Sequence, residues 1–283
     1  MIPVNDALPS GLYIVATPIG NLSDLSGRAA DVLRRADVIA VEDSRVTATL
    51  LRHIGAKVPM VRYDDHVGDQ VRPQLLARMA NEVVALVSDA GTPLISDPGY
   101  KLVREARERG MMVTTIPGPC AAVAALTLAG LPTNRFLFEG FLPSKAKARD
   151  DVIAELSTIR ATLVFYESGP RLVAALEALA AGLGNREAAV AREISKRFEE
   201  CQTGSLTSLA AHYAAHPAKG EIVLVVAPPD AESLRPAGAD LDAMLRAALV
   251  DHPLAKAVRL VARESGIDKA ELTSLAEAIR QQL

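Results

Sequence analysis

Four short, mainly apolar runs alternate with helical patterns over the first 118 residues: Gly11 to Ala16, Val38 to Val41, Val83 to Val87 and Met112 to Ile116. Helical periodicity falls between them near Gly27 to Arg35, Arg45 to His53, Gln70 to Asn81 and Pro98 to Arg109. Runs of this length match strands, and a run without polar alternation has no wet face. Alternating β and α elements of this kind predict an α/β unit built on a largely parallel sheet, with helices on both faces.

A second α/β set begins after Pro117-Gly118-Pro119. The stretch Cys120 to Ala129 is apolar nearly all round, which predicts a buried helix. Strand-like runs follow at Arg135 to Phe138, Ala161 to Tyr166, Ala188 to Ala191, Cys201 to Gly204 and Glu221 to Val226. Helices fit at Lys147 to Leu156, Arg171 to Ala181 and Leu206 to His212. Pro228, Pro229 and Pro236, set among small and charged residues, mark a linker. Three short helical patterns close the chain. In the second, Pro253 opens the first turn and Gly266 is the stop. The third has Asp268 as N-cap with Glu271 three residues on. The organisation predicted is 1–118 and 119–229 as α/β domains, 230–239 as linker and 240–283 as a helix-turn-helix-like module.

Charge and composition exclude several classes. A formal net charge of −3 is unlike a non-specific nucleic-acid binder, so any RNA site must be a local basic patch. From Asp251 onward five basic residues balance five acidic ones, which favours a packing or RNA-contact appendage over a reader of DNA sequence. Two cysteines, Cys120 and Cys201, make neither a disulfide framework nor a zinc site. No stretch reads as a signal peptide or a membrane span, so a cytoplasmic location is expected. The Gly-x-Gly-x-x-Gly and Walker fingerprints are missing. No histidine pair points to a metal. Asp64, Asp65, His66 and Asp69 lack EF-hand spacing and read as a solvated loop, so no metal is expected.

Three loops have the composition of a ligand site. Ala16-Thr-Pro-Ile-Gly-Asn21 follows the first strand. There Gly20 would let a ligand approach the backbone, though a plain strand-to-helix turn accounts for it equally. Ser88-Asp-Ala-Gly-Thr-Pro-Leu-Ile-Ser-Asp-Pro-Gly99 is long for a βα connection, and such loops at the carboxyl ends of parallel strands are where open α/β sheets bind ligands. Ile116-Pro-Gly-Pro-Cys-Ala-Ala122 leaves room for a flat ligand, or is a stiff interdomain turn. Polar groups also end predicted strands at Glu42-Asp43-Ser44-Arg45, Tyr166-Glu167-Ser168 and Arg192-Glu193-Ile194-Ser195-Lys196.

In order along the chain, Leu12-Tyr-Ile-Val-Ala-Thr-Pro-Ile-Gly-Asn-Leu22, Val41-Glu-Asp-Ser-Arg45, the run Leu86 to Tyr100, Ile116-Pro-Gly-Pro-Cys120, Gly130-Leu-Pro-Thr133, Phe138-Glu-Gly-Phe-Leu-Pro143 and Phe165-Tyr-Glu-Ser168 closely resemble one group. It is the ribosomal RNA small-subunit methyltransferase I family, among the tetrapyrrole-methylase-like, class III methyltransferases. The resemblance reaches about Val226, and the helical tail resembles the family's appended domain. It implies two α/β domains with a cleft between them, a homodimer, S-adenosylmethionine as cofactor, and 2′-O-methylation of a cytidine ribose in the decoding region of 16S rRNA, on naked RNA or the assembled 30S subunit. Two departures stand out. Gly169-Pro170-Arg171 replaces the Pro-His-Arg frequent in the family, and the basic stretch after Pro143 is thin.

Read with that chemistry, the cofactor-binding candidates are Thr17, Pro18 and Gly20 in the first loop, then Ser88, Asp89, Ala90, Gly91, Thr92, Ile95, Ser96 and Asp97 in the second. Pro117, Gly118, Pro119 and Ala121 belong to the third. A ribose hydroxyl needs help losing its proton, and the catalytic candidates are Glu42, Asp43, His66, Glu167 and Lys196. Arg45, Lys145, Lys147, Arg149 and Arg171 are candidate phosphate contacts. The rivals are a methyltransferase acting on a tetrapyrrole and a non-catalytic RNA-binding assembly protein.

Overall fold

The computed structural model describes residues 7–64, 66–230 and 238–281. Asp65 and residues 231–237 of the expected linker lie outside them. Five strands form the first sheet: β1 Gly11–Val15, β2 Val38–Val41, β3 Met60–Arg62, β4 Val83–Leu86 and β5 Val113–Ile116. Their order is β3-β2-β4-β1-β5, and every pairing is parallel. The apolar runs of β1, β2 and β4 are buried on both faces, as their lack of alternation requires, while the edge strand β5 is only partly buried and exposes Thr115. Helices α1 (Gly27–Arg35) and α2 (Ser44–His53) cover one face through Leu33, Leu50 and Leu51. Helices α3 (Gly68–Met79) and α4 (Tyr100–Glu108) cover the other through Leu75, Leu76 and Leu102. Strand β3 has no counterpart in the sequence reading. It is three residues long, lies at the sheet edge and buries none of its residues fully, so it carries no apolar run.

This order fixes the site. Strands β1 and β4 are neighbours, but β1 feeds α1 on one face and β4 feeds α4 on the other. Their loops part in opposite directions, and a crevice opens at the carboxyl ends of the strands.

The second sheet contains β6 Phe136–Phe141, β7 Thr162–Ser168, β8 Glu187–Arg192, β9 Glu200–Ser205 and β10 Glu221–Val226, ordered β6-β7-β10-β8-β9. Only β6 and β7 run parallel; the other pairings are antiparallel. Helices α6 (Ala146–Leu156), α7 (Leu172–Leu183) and α8 (Leu206–Ala215) share one core on one face. Leu172, Leu176, Leu179 and Leu183 form the buried stripe of α7, and each fully buried leucine contributes about 1.5–3 kcal/mol. The opposite face is covered by α5 (Ala121–Leu128). The expectation that this helix is buried all round needs correction. Ala122, Ala125 and Leu126 are buried, while Val123 is 51% and Leu128 40% exposed. The helix packs on one sheet face, so its far flank has no partner within the described residues.

The tail forms α9 (Gly238–Asp251), α10 (Leu254–Ser265) and α11 (Lys269–Arg280) around Leu245, Val258, Val261, Leu272 and Ile279. Gly266 ends α10 at φ 73°, a left-handed stop that glycine adopts without steric cost. Asp268 caps α11 by accepting from Ala270 N at 2.7 Å.

Candidate active site

The loops after β1, β2 and β4 are tied to one another before any ligand is considered. Thr17 and Gly91 exchange backbone hydrogen bonds of 2.8 and 3.1 Å. Thr17 Oγ1 also reaches Ser88 O at 3.4 Å. The Asp43 backbone N–H donates to Asp89 Oδ1 at 3.0 Å, which joins the β2 loop to the β4 loop. Thr92 Oγ1 donates to Pro119 O at 2.9 Å, joining the third loop.

The second sheet supplies the opposing wall. Paired register sets Ser168, Glu167 and Tyr166 of β7 beside Glu221, Ile222 and Val223 of β10. The Tyr166 hydroxyl accepts from Ala122 N at 3.3 Å, and its ring meets Phe138 and Phe141 edge-on at 4.9 and 5.6 Å. Burial pushes the Tyr166 phenol above its ordinary range. The two units also touch directly: the Ser195 hydroxyl bonds Asp24, and a Cβ built on Gly140 would lie 2.8 Å from Ser96 Oγ.

A cleft of about 410 Å³ lies between these walls. Ile19, Asp89, Ala90, Gly91, Thr92, Ile95, Ser96, Asp97 and Ala121 line one side, and Tyr166, Glu167 and Lys196 the other. A polar annex of about 600 Å³ adjoins it, lined by Asp43, Arg45, Arg62, Asp64 and His66. Glu42, Asp89 and Ser96 line both cavities, so they stand at the junction.

The four non-glycine residues with positive φ among the described residues are Leu94, Ser96, Glu193 and Ser195. All four sit in two loops facing this cleft. Such conformations cost on the order of 1–3 kcal/mol each and persist where surrounding structure over-determines them, typically at functional sites.

Charge is divided sharply along the β2 loop. Burial raises Glu42, and the carboxylates of Asp89, Asp97 and Asp64 raise it further, against one lowering hydrogen bond at Asp89. Burial also raises Asp89 and Asp97. Asp43, one residue from Glu42, is held down to about 2 by its hydrogen bonds with Arg45. Backbone N–H groups of Val67 and His66, together with Arg62, lower Asp64 despite some opposing desolvation. Asp64 is therefore not the solvated loop carboxylate expected: it is 7% exposed and holds the turn leading into α3.

Several candidates have close partners within the protein. The stem of Lys196 lies over Gly20, where a Cβ would fall 2.4 Å from Lys196 Cγ. Thr17, Pro18, Gly20 and Ser88 line a separate cavity against α2. Gly118 backs onto Ala16, where a Cβ would fall 2.9 Å from the alanine methyl, while Pro117 and Gly118 are otherwise exposed and Pro119 is half-buried. Burial would lower the Lys196 ammonium, but its bonds to Glu193 and Glu221 outweigh this and raise it. Held as a cation, it is unsuited to act as a base. Arg171 pairs with Glu167 at 3.2 Å and donates to Leu142 O, so it has internal partners before any phosphate arrives. Lys145, just before α6, and Lys147 within it are exposed, while Arg149 is partly covered, its Nε buried without a hydrogen bond and 3.9 Å from Asp150 Oδ1. His212 and His216 do fall one turn apart on α8 and stack at 4.8 Å, but among the described residues no group of three metal-ligating side chains forms.

Sequence reasoning missed Arg62, Phe141 and Glu221. Arg62 ends the strand that was not foreseen. Glu221 opens β10, where a polar residue before an apolar run is an ordinary strand start.

A family model described as "Tetrapyrrole (Corrin/Porphyrin) Methylases" matches residues 11–210, and one described as "RsmI C-terminal HTH domain" matches 235–276. A ribosomal RNA small subunit methyltransferase I from Erythrobacter litoralis is 52% identical over 271 residues, which cover 96% of each chain. The chain belongs to the ribosomal RNA small subunit methyltransferase I family. A second member, from Mesorhizobium japonicum, is 46% identical over 96% of this chain and 92% of its own. The fold is that of the tetrapyrrole methylases. A uroporphyrin-III C-methyltransferase from Thermus thermophilus, solved in complex with S-adenosylhomocysteine, superposes with a TM-score of 0.54 at 20% identity, covering 77% of this chain and 97% of that one. In this methyltransferase I chain no helix among the described residues is long and apolar enough to cross a membrane.

Proposed function

We propose that the chain transfers a methyl group from S-adenosylmethionine to the ribose 2′-hydroxyl of a cytidine in the decoding region of 16S ribosomal RNA, acting in the bacterial cytoplasm as a homodimer. The observation that carries this reading is the junction: a mainly apolar cleft with acidic residues in its wall opens through Glu42, Asp89 and Ser96 into a polar annex that bears arginines. A sulfonium cofactor carries positive charge at sulfur and at its α-amino group. Buried carboxylates at Asp89 and Asp97 match that charge, and Ile19, Ile95, Ala121 and the Tyr166 ring suit an adenine.

When bound, the cofactor supplies an electrophilic methyl group on a sulfonium. The protein's part is to position it and to manage a proton. Glu42, raised by burial and its acidic neighbours, is the group best placed to take the proton as the ribose oxygen bonds carbon and the carbon–sulfur bond breaks. Asp43 is a poor base, since Arg45 holds it far below neutrality. Glu167 is 3% exposed, and Ser168 N and Arg171 hold it in the wall. In the annex Arg45 and Arg62 are largely exposed beyond their pairs with Asp43 and Asp64, as a phosphate grip requires. The uncovered flank of α5, with Val123 and Leu128, suits self-association.

The test incubates small subunits from a strain lacking this gene with purified protein and radiolabelled cofactor, then maps the label by ribose-methylation-sensitive sequencing. Label on one cytidine 2′-oxygen is expected. No label on subunits or naked RNA, despite cofactor binding, would move the reading to a tetrapyrrole acceptor.

A further inference from the structure

The helical tail is neutral in sum from Asp251 onward, but its charges are sorted in space. Lys256, Arg259 and Arg263 recur at spacings of three and four along α10 and therefore share a face. Lys269, at the start of α11, joins them in lining one open groove. All four are exposed. The acidic residue in the lining is Asp268, and its carboxylate is engaged in capping α11. None of the four cations takes part in an ion pair with a described residue; the pair within this module is Arg246 with Asp242, on α9. Arg259 spends one of its five donors on Ala255 O.

The second α/β unit approaches the module next to this groove. The guanidinium of Arg160 lies over Gly266, where a Cβ would fall 2.9 Å from one terminal nitrogen and 3.4 Å from Cζ. The module therefore meets the second α/β unit at Gly266, one of the residues lining the groove.

The face of α11 is different. It exposes Glu271, Ser274, Leu275 and Glu277, and its two acids cancel Lys269 and Arg280. In helix-turn-helix proteins that read DNA, the second helix enters the major groove and presents its side chains to base edges. A helix carrying two exposed glutamates on its outer face is repelled by the phosphates lining such a groove.

We propose that the α10 groove clamps the phosphodiester backbone of RNA through charge, and that α11 does not act as a base-reading helix. The identification of RNA rests on the acceptor assigned above. The groove is also remote from the chemistry. Arg160 precedes β7, whose far end carries Glu167 and Ser168 at the cleft, so eight extended residues separate them, about 26 Å. The groove thus holds a part of the substrate well away from the nucleotide being modified.

The test uses the full chain and a labelled stem-loop RNA titrated between about 50 and 200 mM salt. The variant Lys256→Gln/Arg259→Gln/Arg263→Gln should lower the slope of log affinity against log salt by about two to three, at roughly 0.7–0.9 per phosphate lost. A control on α11, Ser274→Ala/Glu277→Gln, should leave the slope unchanged. Cofactor titration of all three proteins should agree, which establishes that the α/β body is intact, and circular dichroism at matched concentration checks the module. An unchanged slope in the α10 variant overturns the proposal. So does weakening by the α11 control alone, or displacement of the RNA by a duplex DNA of one sequence only, since each would make the module a reader of bases. Failure of the cleft assignment is a separate result: wild-type protein would then leave subunits unlabelled while its salt slope still depended on α10.

Discussion

The cleft and the α10 groove both attract charge, yet they are built in opposite ways. The cleft gathers Glu42, Asp89 and Asp97 into partial burial, raises all three above the ordinary carboxylate range, and borders two loops with strained backbone. The groove spreads four exposed cations along a helix and the turn after it, with no positive φ except at a glycine. The difference follows from what each would hold. A small cation must be oriented to within a fraction of an ångström, so its site uses desolvation and rigidity. A polyanion is held by the number of neutralised phosphates, and solvated side chains suffice.

The largest separation between the two regions should appear in cofactor affinity. Asp89→Ala or Asp97→Ala should weaken S-adenosylmethionine binding in titration calorimetry by about 10- to 100-fold, the range for losing a charged hydrogen bond. The α10 triple variant should bind the cofactor as wild type does. Unchanged affinity in both aspartate variants would remove the acid wall from the cofactor site.

A smaller effect concerns RNA. Neutralising Lys145, Lys147 and Arg149 on α6 should reduce the salt slope by about one to two, less than the α10 variant, because Arg149 is partly covered. An equal or larger change would shift the main RNA contact to α6.

The pH dependence sharpens the contrast further. A base with a raised pKa is active only once pH exceeds that value, so the methylation rate should climb through an acidic limb set by Glu42. The charge of Asp97 raises Glu42. Asp97→Asn should therefore move the limb to lower pH at saturating cofactor, and a limb that stays in place would show that another group titrates.

The smallest effect is on stability. Asp97 is partly desolvated and its pKa is raised, so its ionised form costs folded-state stability above that pKa and the cost disappears as pH falls through it. Asp97→Asn should raise the thermal midpoint of the ligand-free protein by about 2 °C at neutral pH. No gain near neutrality, or a gain that persists at acid pH, would contradict the burial argument.

The interior of the first sheet was legible because short apolar runs without alternation match strands covered on both faces. Strand β3 was not, since an exposed edge strand of three residues has no such signature. The long β4 loop declared itself by length and by its glycines and prolines. What sequence could not supply was direction. Gly20 and Gly118 look alike as small residues in loops, but one admits Lys196 and the other Ala16. Charge was only half legible: the spacing of Lys256, Arg259 and Arg263 puts them on one helix face, but their joining with Lys269 in one groove appears only when α10 and α11 pack.

The account turns on Glu42 at the junction of cleft and annex. Single-turnover methyl transfer by Glu42→Gln, at saturating RNA and cofactor, tests it most directly. The rate should fall about 10²- to 10⁴-fold, with RNA affinity unchanged and the acidic limb lost. A rate within a few-fold of wild type, with the limb intact, would place proton removal elsewhere and contradict the junction as the reaction centre.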